Sequence, residues 1–215
     1  MLLLERDDLI KTSDLPDIEE ADWNYRFILG FFQRLRFKLA VSLLSGQRFD
    51  TLLEIGYGSG IFLPELAKYC KNLFGVDQHR YSNEIMKILL KYNVQANLIS
   101  GDATKLLFKE NFADCIVIIS TLEYISDLDS ACGNIRKVLT PNGVLIVVTP
   151  GFSPIIDLGF RLLSRSNALQ QFGDRRRSII QTLKKYFSID QMLSIPAYSP
   201  KIITIYNALK LINIK

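Results

Sequence analysis

No apolar run in this 215-residue chain approaches the roughly 18 residues that a membrane span requires. Cysteine is scarce: Cys70, Cys115 and Cys132 are the whole complement. Their number is odd and no pair has metal or redox spacing, so they are expected as reduced thiols in a cytoplasmic protein. The only histidine is His79. A formal charge of +4 is too mild to argue for a nucleic-acid partner. The opening MLLLERDD turns acidic after three leucines, without the basic start and long apolar centre of a secretory leader. Internal repeats and low-complexity segments are also missing. What is present is a globular composition, 48% hydrophobic and 22% charged, enough for one domain with one sizeable core.

Short apolar runs recur at Thr51–Ile55, Leu73–Val76, Val94–Ile99, Cys115–Ile119 and Val144–Val148. Each is apolar at nearly every position, the pattern of a strand buried on both faces. Helix-like stretches lie between them: Ile61–Cys70, then Asn83–Tyr92 behind Ser82 as N-cap, then Leu128–Leu139. The last one is followed by a turn signal, Thr140-Pro141-Asn142-Gly143. This alternation predicts an α/β fold with a parallel sheet covered on both sides. Two final strands, Ser188–Ile195 and Ile202–Leu211, are expected to pair antiparallel. Asp114, which opens the fourth strand, is expected only to bond backbone.

Residues 22–44 read as a helix with Tyr25, Ile28, Leu29, Phe32, Leu35, Leu39 and Leu43 on one face. Arg26, Arg34 and Lys38 fall opposite. After the fifth strand comes an apolar stretch from Phe152 to Leu163, a polar loop, and Arg175-Arg176-Arg177.

The stretch LLEIGYGSGIF follows a strand and opens a helix. Glycines there let the backbone turn tightly and approach a ligand closely. Open α/β sheets bind ligands at such carboxyl-end crevices. The spacing is not that of a dinucleotide site, G-x-G-x-x-G, because positions 61 and 63 are Ile61 and Leu63. It is Glu54-x-Gly56-x-Gly58-x-Gly60.

That pattern resembles the first motif of class I S-adenosylmethionine-dependent methyltransferases. Asp77, in LFGVDQHR, stands 21 positions after Gly56 at the end of the second strand. LISGDATKL puts Asp102 past the third strand. FADCIVIISTLEYI and IRKVLTPNGVLIVVTP resemble the family's fourth and fifth strands with their turns. The likeness covers roughly residues 50–150 and is nearest to the small-molecule, quinone-biosynthesis-like group (type 11). It implies a doubly wound, Rossmann-like seven-stranded sheet in the order 3-2-1-4-5-7-6, with the last strand antiparallel. A single domain over 1–215 would divide into a helical cap (1–45), a cofactor core (50–150), an insertion or lid (151–186) and the last two strands (187–215).

The resemblance also implies roles. Gly56, Tyr57, Gly58 and Gly60 would pass beneath the methionine part of S-adenosylmethionine, with S-adenosylhomocysteine as product. Glu54 would orient its amino group. Asp77 and Gln78 would hold the ribose, and Asp102 and Ala103 the adenine. Ser120 and Leu122 would line the sulfonium end. Asp102 as a helix cap is the competing reading. Glu123, Tyr124 and His79 are candidates for a catalytic base, each also readable as structural. No carboxylate cluster suits a divalent metal. Ser120-Thr121-Leu122-Glu123-Tyr124 lacks the tetrad of the amino-methylating nucleic-acid enzymes.

Substrate choice would then fall to residues 22–44 and 152–177, expected to close as a lid over an apolar small-molecule acceptor; in the competing reading residues 22–44 pack on the sheet and the arginines are solvated. Phe27, Phe31, Phe152 and Phe160 would line it. Arg161 or Arg175–Arg177 would meet an acidic group or an anionic membrane surface, a peripheral contact rather than a span. The alternatives are a non-catalytic S-adenosylmethionine-binding regulatory or assembly protein, and a methyltransferase of RNA or protein.

Overall fold

The structure, a computed structural model, describes residues 1–12, 21–151, 175–197 and 203–214. Seven strands form one sheet: β1 (Phe49–Ile55), β2 (Cys70–Asp77), β3 (Asn97–Ser100), β4 (Ala113–Ile119), β5 (Leu139–Pro150), β6 (Ser188–Ile195) and β7 (Tyr206–Ile212). Their order is β3-β2-β1-β4-β5-β7-β6. β1 to β5 are parallel, and β7 runs antiparallel to both β5 and β6. The order and the single reversed strand are those expected. Of the stretch expected for β7, Ile202 lies outside the described residues.

Alternate residues of the central strands enter two separate cores. Leu52, Cys115, Val117, Val144 and Ile146 face α1 (Phe27–Leu44), α2 (Leu63–Leu66) and α3 (Ser82–Lys91). Leu53, Ile55, Ile116, Ile118, Leu145 and Val147 face α4 (Leu128–Val138) and α5 (Arg175–Tyr186). Each such side chain contributes about 1.5–3 kcal/mol by leaving water, which is why these strands read as continuous apolar runs.

Several local expectations are corrected. The helix expected over Ile61–Cys70 is one α-turn followed by a 3-10 turn, Ala67–Tyr69. Cys70 is already in β2, paired with Phe49, so the chain must drop quickly to the foot of the sheet. Ser82 is not an N-cap; it is the first residue of α3, and its hydroxyl meets the Tyr57 hydroxyl at 2.8 Å. The third strand starts at Asn97 rather than Val94. Thr140–Gly143 does not separate α4 from β5 but is carried inside β5 as an irregularity: Ala113 pairs with Leu139, whereas Cys115 pairs with Val144. Asn142 takes φ 60° there, and the buried Asn213 amide ties the corner to the carbonyls of Leu139 and Thr140 at 2.9 and 3.0 Å. Asp114 does bond backbone, accepting from Asp50 and Thr51. All three cysteines are buried, and burial raises their thiols, Cys70 to about 11 and Cys132 to about 12.

The helix at 22–44 is broken at Arg26, whose backbone is extended, into a 3-10 turn (Ala21–Tyr25) and α1. α1 lies as a layer across β4, β5 and β7, not as a free flap. Its buried face includes Gln33 and Arg36 beside Leu29, Phe37, Ala40 and Leu43, while Phe32 and Leu35 are only half-buried. The polar pair enters because each has business inside: the Tyr206 hydroxyl donates to Gln33, and Arg36 faces a carboxyl described below.

Candidate functional site

The crevice lies at the carboxyl ends of β1, β2 and β4. After Ile55 the chain turns through Gly56 (φ 79°) and Gly58 (φ 52°), in the left-handed region that β-carbons disfavour. The two positions require glycine for different reasons. A Cβ on Gly56 would stand 2.2 Å from Thr121 Oγ1, so this glycine lets the β1 and β4 loops touch. A Cβ on Gly58 would meet nothing within 4 Å among the described residues; its face is open. At Gly60 a Cβ would press on Ile85, so that residue serves packing.

Asp77 ends β2 beside this loop. Its Oδ2 accepts from the Gly58 N–H at 2.8 Å and its Oδ1 from the His79 N–H at 3.4 Å. Gln78 is exposed. His79 is turned inward rather than to solvent. Tyr57 also points away from the crevice: its ring is buried against Gly75, its hydroxyl is on Ser82, and burial raises it to about 12. The side chain is thus engaged in packing, while its backbone borders the turn. Asp102 caps a 3-10 turn (Ala103–Lys105), accepting from both the N–H and the hydroxyl of Thr104, which hold it below the usual carboxylate range. The capping reading of Asp102 is thus the one its contacts support. Ala103 is buried behind it.

Glu54 is a strongly perturbed carboxyl. It is buried on the α1 side of β1, and its Oε2 has no hydrogen-bond partner among the described residues. Burial pushes its carboxyl up to about 8, the nearby Asp77 adds to this, and the buried Arg36 opposes it. Arg36 also lies over the Phe37 ring at 4.9 Å. Sequence reading missed Arg36; the only signal was a cation set between Leu35 and Phe37 in an apolar helix. It missed Thr121 as well, which is legible only through its contact with Gly56.

At the end of β4, Ser120 takes φ 52° and bonds through its N–H to the Val148 carbonyl. Its hydroxyl is buried without a hydrogen-bond partner among the described residues. Leu122 and Glu123 are buried in a 3-10 turn, and Tyr124 is partly exposed. The first residues of α5 hold these loops: Arg175 donates to the Tyr124 carbonyl at 3.4 Å and the buried Arg176 to the Gly151 carbonyl at 3.3 Å. Arg176 is therefore a clamp on β5, not a free cation for an acidic substrate group.

Of the four expected acceptor-lining residues, Phe152 and Phe160 lie outside the described residues, as does Arg161. Phe27 is 96% and Phe31 54% exposed. They border an open depression of about 520 Å³ with Tyr25, Arg26, Phe32 and Arg34, at the start of α1 rather than at the glycine turn. Among the described residues, no group of three or more His, Cys, Asp or Glu gathers as for a metal, and no helix is long and apolar enough to cross a membrane.

Comparison with known proteins gives this geometry a context. Residues 53–147 match the model of a methyltransferase-domain family. The chain is 31% identical over 105 residues to sterol 24-C-methyltransferase of Saccharomyces cerevisiae, covering 47% of this chain and 27% of that one. It is 25% identical over 116 residues to malonyl-[acyl-carrier protein] O-methyltransferase of Chlorobium luteolum, covering 50% and 43%. The chain thus spans less than half the length of these curated relatives. Among solved structures, the N-methyltransferase NodS of Bradyrhizobium japonicum in complex with S-adenosyl-L-homocysteine superposes with a TM-score of 0.63. That match covers 86% of this chain and 88% of NodS at 20% identity, a likeness of fold.

Proposed function

We propose that this chain transfers a methyl group from S-adenosylmethionine to a small apolar molecule, a reading that the match of residues 53–147 to a methyltransferase-domain family model supports. The observation that carries the reading is the face of Gly58, unobstructed among the described residues and flanked by Asp77 and by the buried Glu54 Oε2, which has no hydrogen-bond partner among them. These residues fit the group: an acid for its ammonium, a carboxylate for its ribose hydroxyls, and bare backbone between them.

When bound, the cofactor supplies a methyl group made electrophilic by a sulfonium. The chain's own part is to bind, orient and exclude water. Glu54 orients the amino end; an ammonium brought beside it favours the ionised carboxylate and draws its proton off. Asp77 keeps Oδ2 on the loop and turns Oδ1 to a ribose hydroxyl, with Gln78 alongside. Asp102 and Ala103 border the adenine. Ser120 and Leu122 stand at the sulfonium end, where the orphaned Ser120 hydroxyl gains a partner. Holding the acceptor close and in line contributes several kcal/mol without a dedicated base. The exposed Phe27 and Phe31 support an apolar acceptor approaching from the start of α1. In this reading the enzyme is cytoplasmic, and the expected insertion over 151–186 lies largely outside the described residues.

Radiolabelled S-adenosylmethionine tests it, offered with quinols, sterols, free fatty acids, RNA or protein. Label passing into the organic phase supports the proposal. Label in acid-precipitated RNA or protein moves the chain to a macromolecular substrate. Tight cofactor binding with no transfer to any acceptor class makes it a non-catalytic binder.

A further inference from the structure

The chain's one histidine sits in the crevice wall with a bonding pattern that fixes its tautomer. The Tyr81 N–H donates to His79 Nδ1 at 3.2 Å, so that nitrogen carries no proton. The proton is on Nε2, which donates to the Gly58 carbonyl at 2.7 Å. The ring is 7% exposed, packed edge-on against the Tyr57 ring at 4.9 Å and tilted against Tyr81 at 5.9 Å. Asp77, two residues earlier, holds the Gly58 N–H. The peptides on both sides of Gly58 are therefore fastened to the exit of β2, one by a carboxylate and one by an imidazole.

We propose that His79 is a positioning residue of the cofactor site: its Nε2–H holds the Gly58 carbonyl and keeps the open face of the loop in the conformation that accepts the ligand. The proposal rests on the reading of the crevice as an S-adenosylmethionine site. The loop needs such a holder. A left-handed turn at Gly58 is entropically costly to fix, and neither flanking polar group is used by the loop itself. Paying that ordering cost in the free protein leaves less to be lost on binding. A base role for His79 does not fit the same geometry, because both ring nitrogens are engaged with backbone.

The test uses the whole chain and S-adenosylhomocysteine as probe. Gln places an amide N–H where Nε2 stands; Asn places one where Nδ1 stands. Calorimetry is expected to show His79→Gln binding nearly as wild type, while His79→Asn and His79→Ala lose about tenfold, the worth of one hydrogen bond. Nitrogen-15 shifts of the single imidazole, read without ligand, are expected to report the Nε2–H tautomer. Wild-type affinity in His79→Ala, equal losses in Gln and Asn, or an Nδ1–H ring would overturn the latch. A wild-type chain that does not bind the probe at all fails instead the reading of the crevice, and the latch as a cofactor device falls with it.

Discussion

The Leu4 backbone N–H donates to the Ile61 carbonyl at 3.2 Å, which fastens the start of the chain to the back of the glycine turn. The Leu4 side chain is fully buried behind Gly60 and Ile85, and its carbonyl accepts from the Tyr25 hydroxyl. Farther along, Tyr92 receives the Glu5 N–H and donates to Asp8, which also pairs with Lys91 at 2.6 Å. Residues 1–12 are thus a strap across α3 and the turn. Leu4→Ala is expected to cost about 3 kcal/mol of stability, as deletion of a fully buried leucine does. Urea unfolding measures it, and a cost below about 1 kcal/mol would mean the strap is only laid on the surface.

Glu54 gives the protein a pH signature of uncommon sign. Its folded pKa, about 8, is raised above the ordinary carboxylate value of 4.5. The neutral form is therefore favoured by folding. Its contribution is fully present below 4.5 and is lost as pH rises towards 8, on the order of 5 kcal/mol in all. Glu54→Gln is expected to remove this slope, so that the variant gains on wild type from pH 5 to pH 9 in urea midpoints. Parallel curves for the two proteins would sink the assignment. The same variant should bind S-adenosylhomocysteine more weakly, since an amide offers no charge to the ammonium.

Gly56 and Gly58 separate stability from binding. Gly56→Ala forces a β-carbon onto Thr121, so it is expected to destabilise by about 3 kcal/mol, partly relieved by Thr121→Ala in the double variant. Gly58→Val meets no atom within 4 Å among the described residues but must hold a β-branched residue at φ 52°, so it costs backbone strain as well, and what sets it apart is a loss of cofactor affinity of at least about tenfold by calorimetry. Equal stability losses at both positions with unchanged affinity would mean that the open face is not where the cofactor lies.

Phe27→Ser and Phe31→Ser are expected to leave the urea midpoint within about 0.5 kcal/mol of wild type, because neither ring is in a core. If the acceptor enters there, KM for that acceptor rises severalfold while cofactor affinity stays level. Unchanged acceptor kinetics would move the entrance away from α1.

The sheet was legible because buried parallel strands advertise themselves; β6 spans the Ser188–Ile195 read from the chain alone. The interior of α1 was not. The expected apolar face named neither Gln33 nor Arg36, since hydrophobic pattern carries no knowledge of Tyr206 or Glu54 across the core. The same blindness hid the packing of the Tyr57 ring on Gly75 and left His79 an undecided base. Motif spacing located the crevice, but the packing within it depended on partners remote in sequence: Ser82 on the Tyr57 hydroxyl, and Thr121 in the space a Cβ at Gly56 would need. Asp102 shows the converse, its cap being readable two residues away in Thr104.

The reversal of β7 has a practical corollary for instrumentation. Because Ile212 lies opposite Val144, where β5 begins its run towards the crevice, the chain at Asn213 and Ile214 stands at the far end of the sheet. Arg136 holds the Ile214 carbonyl there at 3.1 Å. The run of β5 from Val144 to Pro150 puts roughly 20 Å between the two ends. A fluorophore or surface tether joined at Ile214 would leave ligand traffic undisturbed, whereas the same label at Leu2 would ride on the strap and report its release.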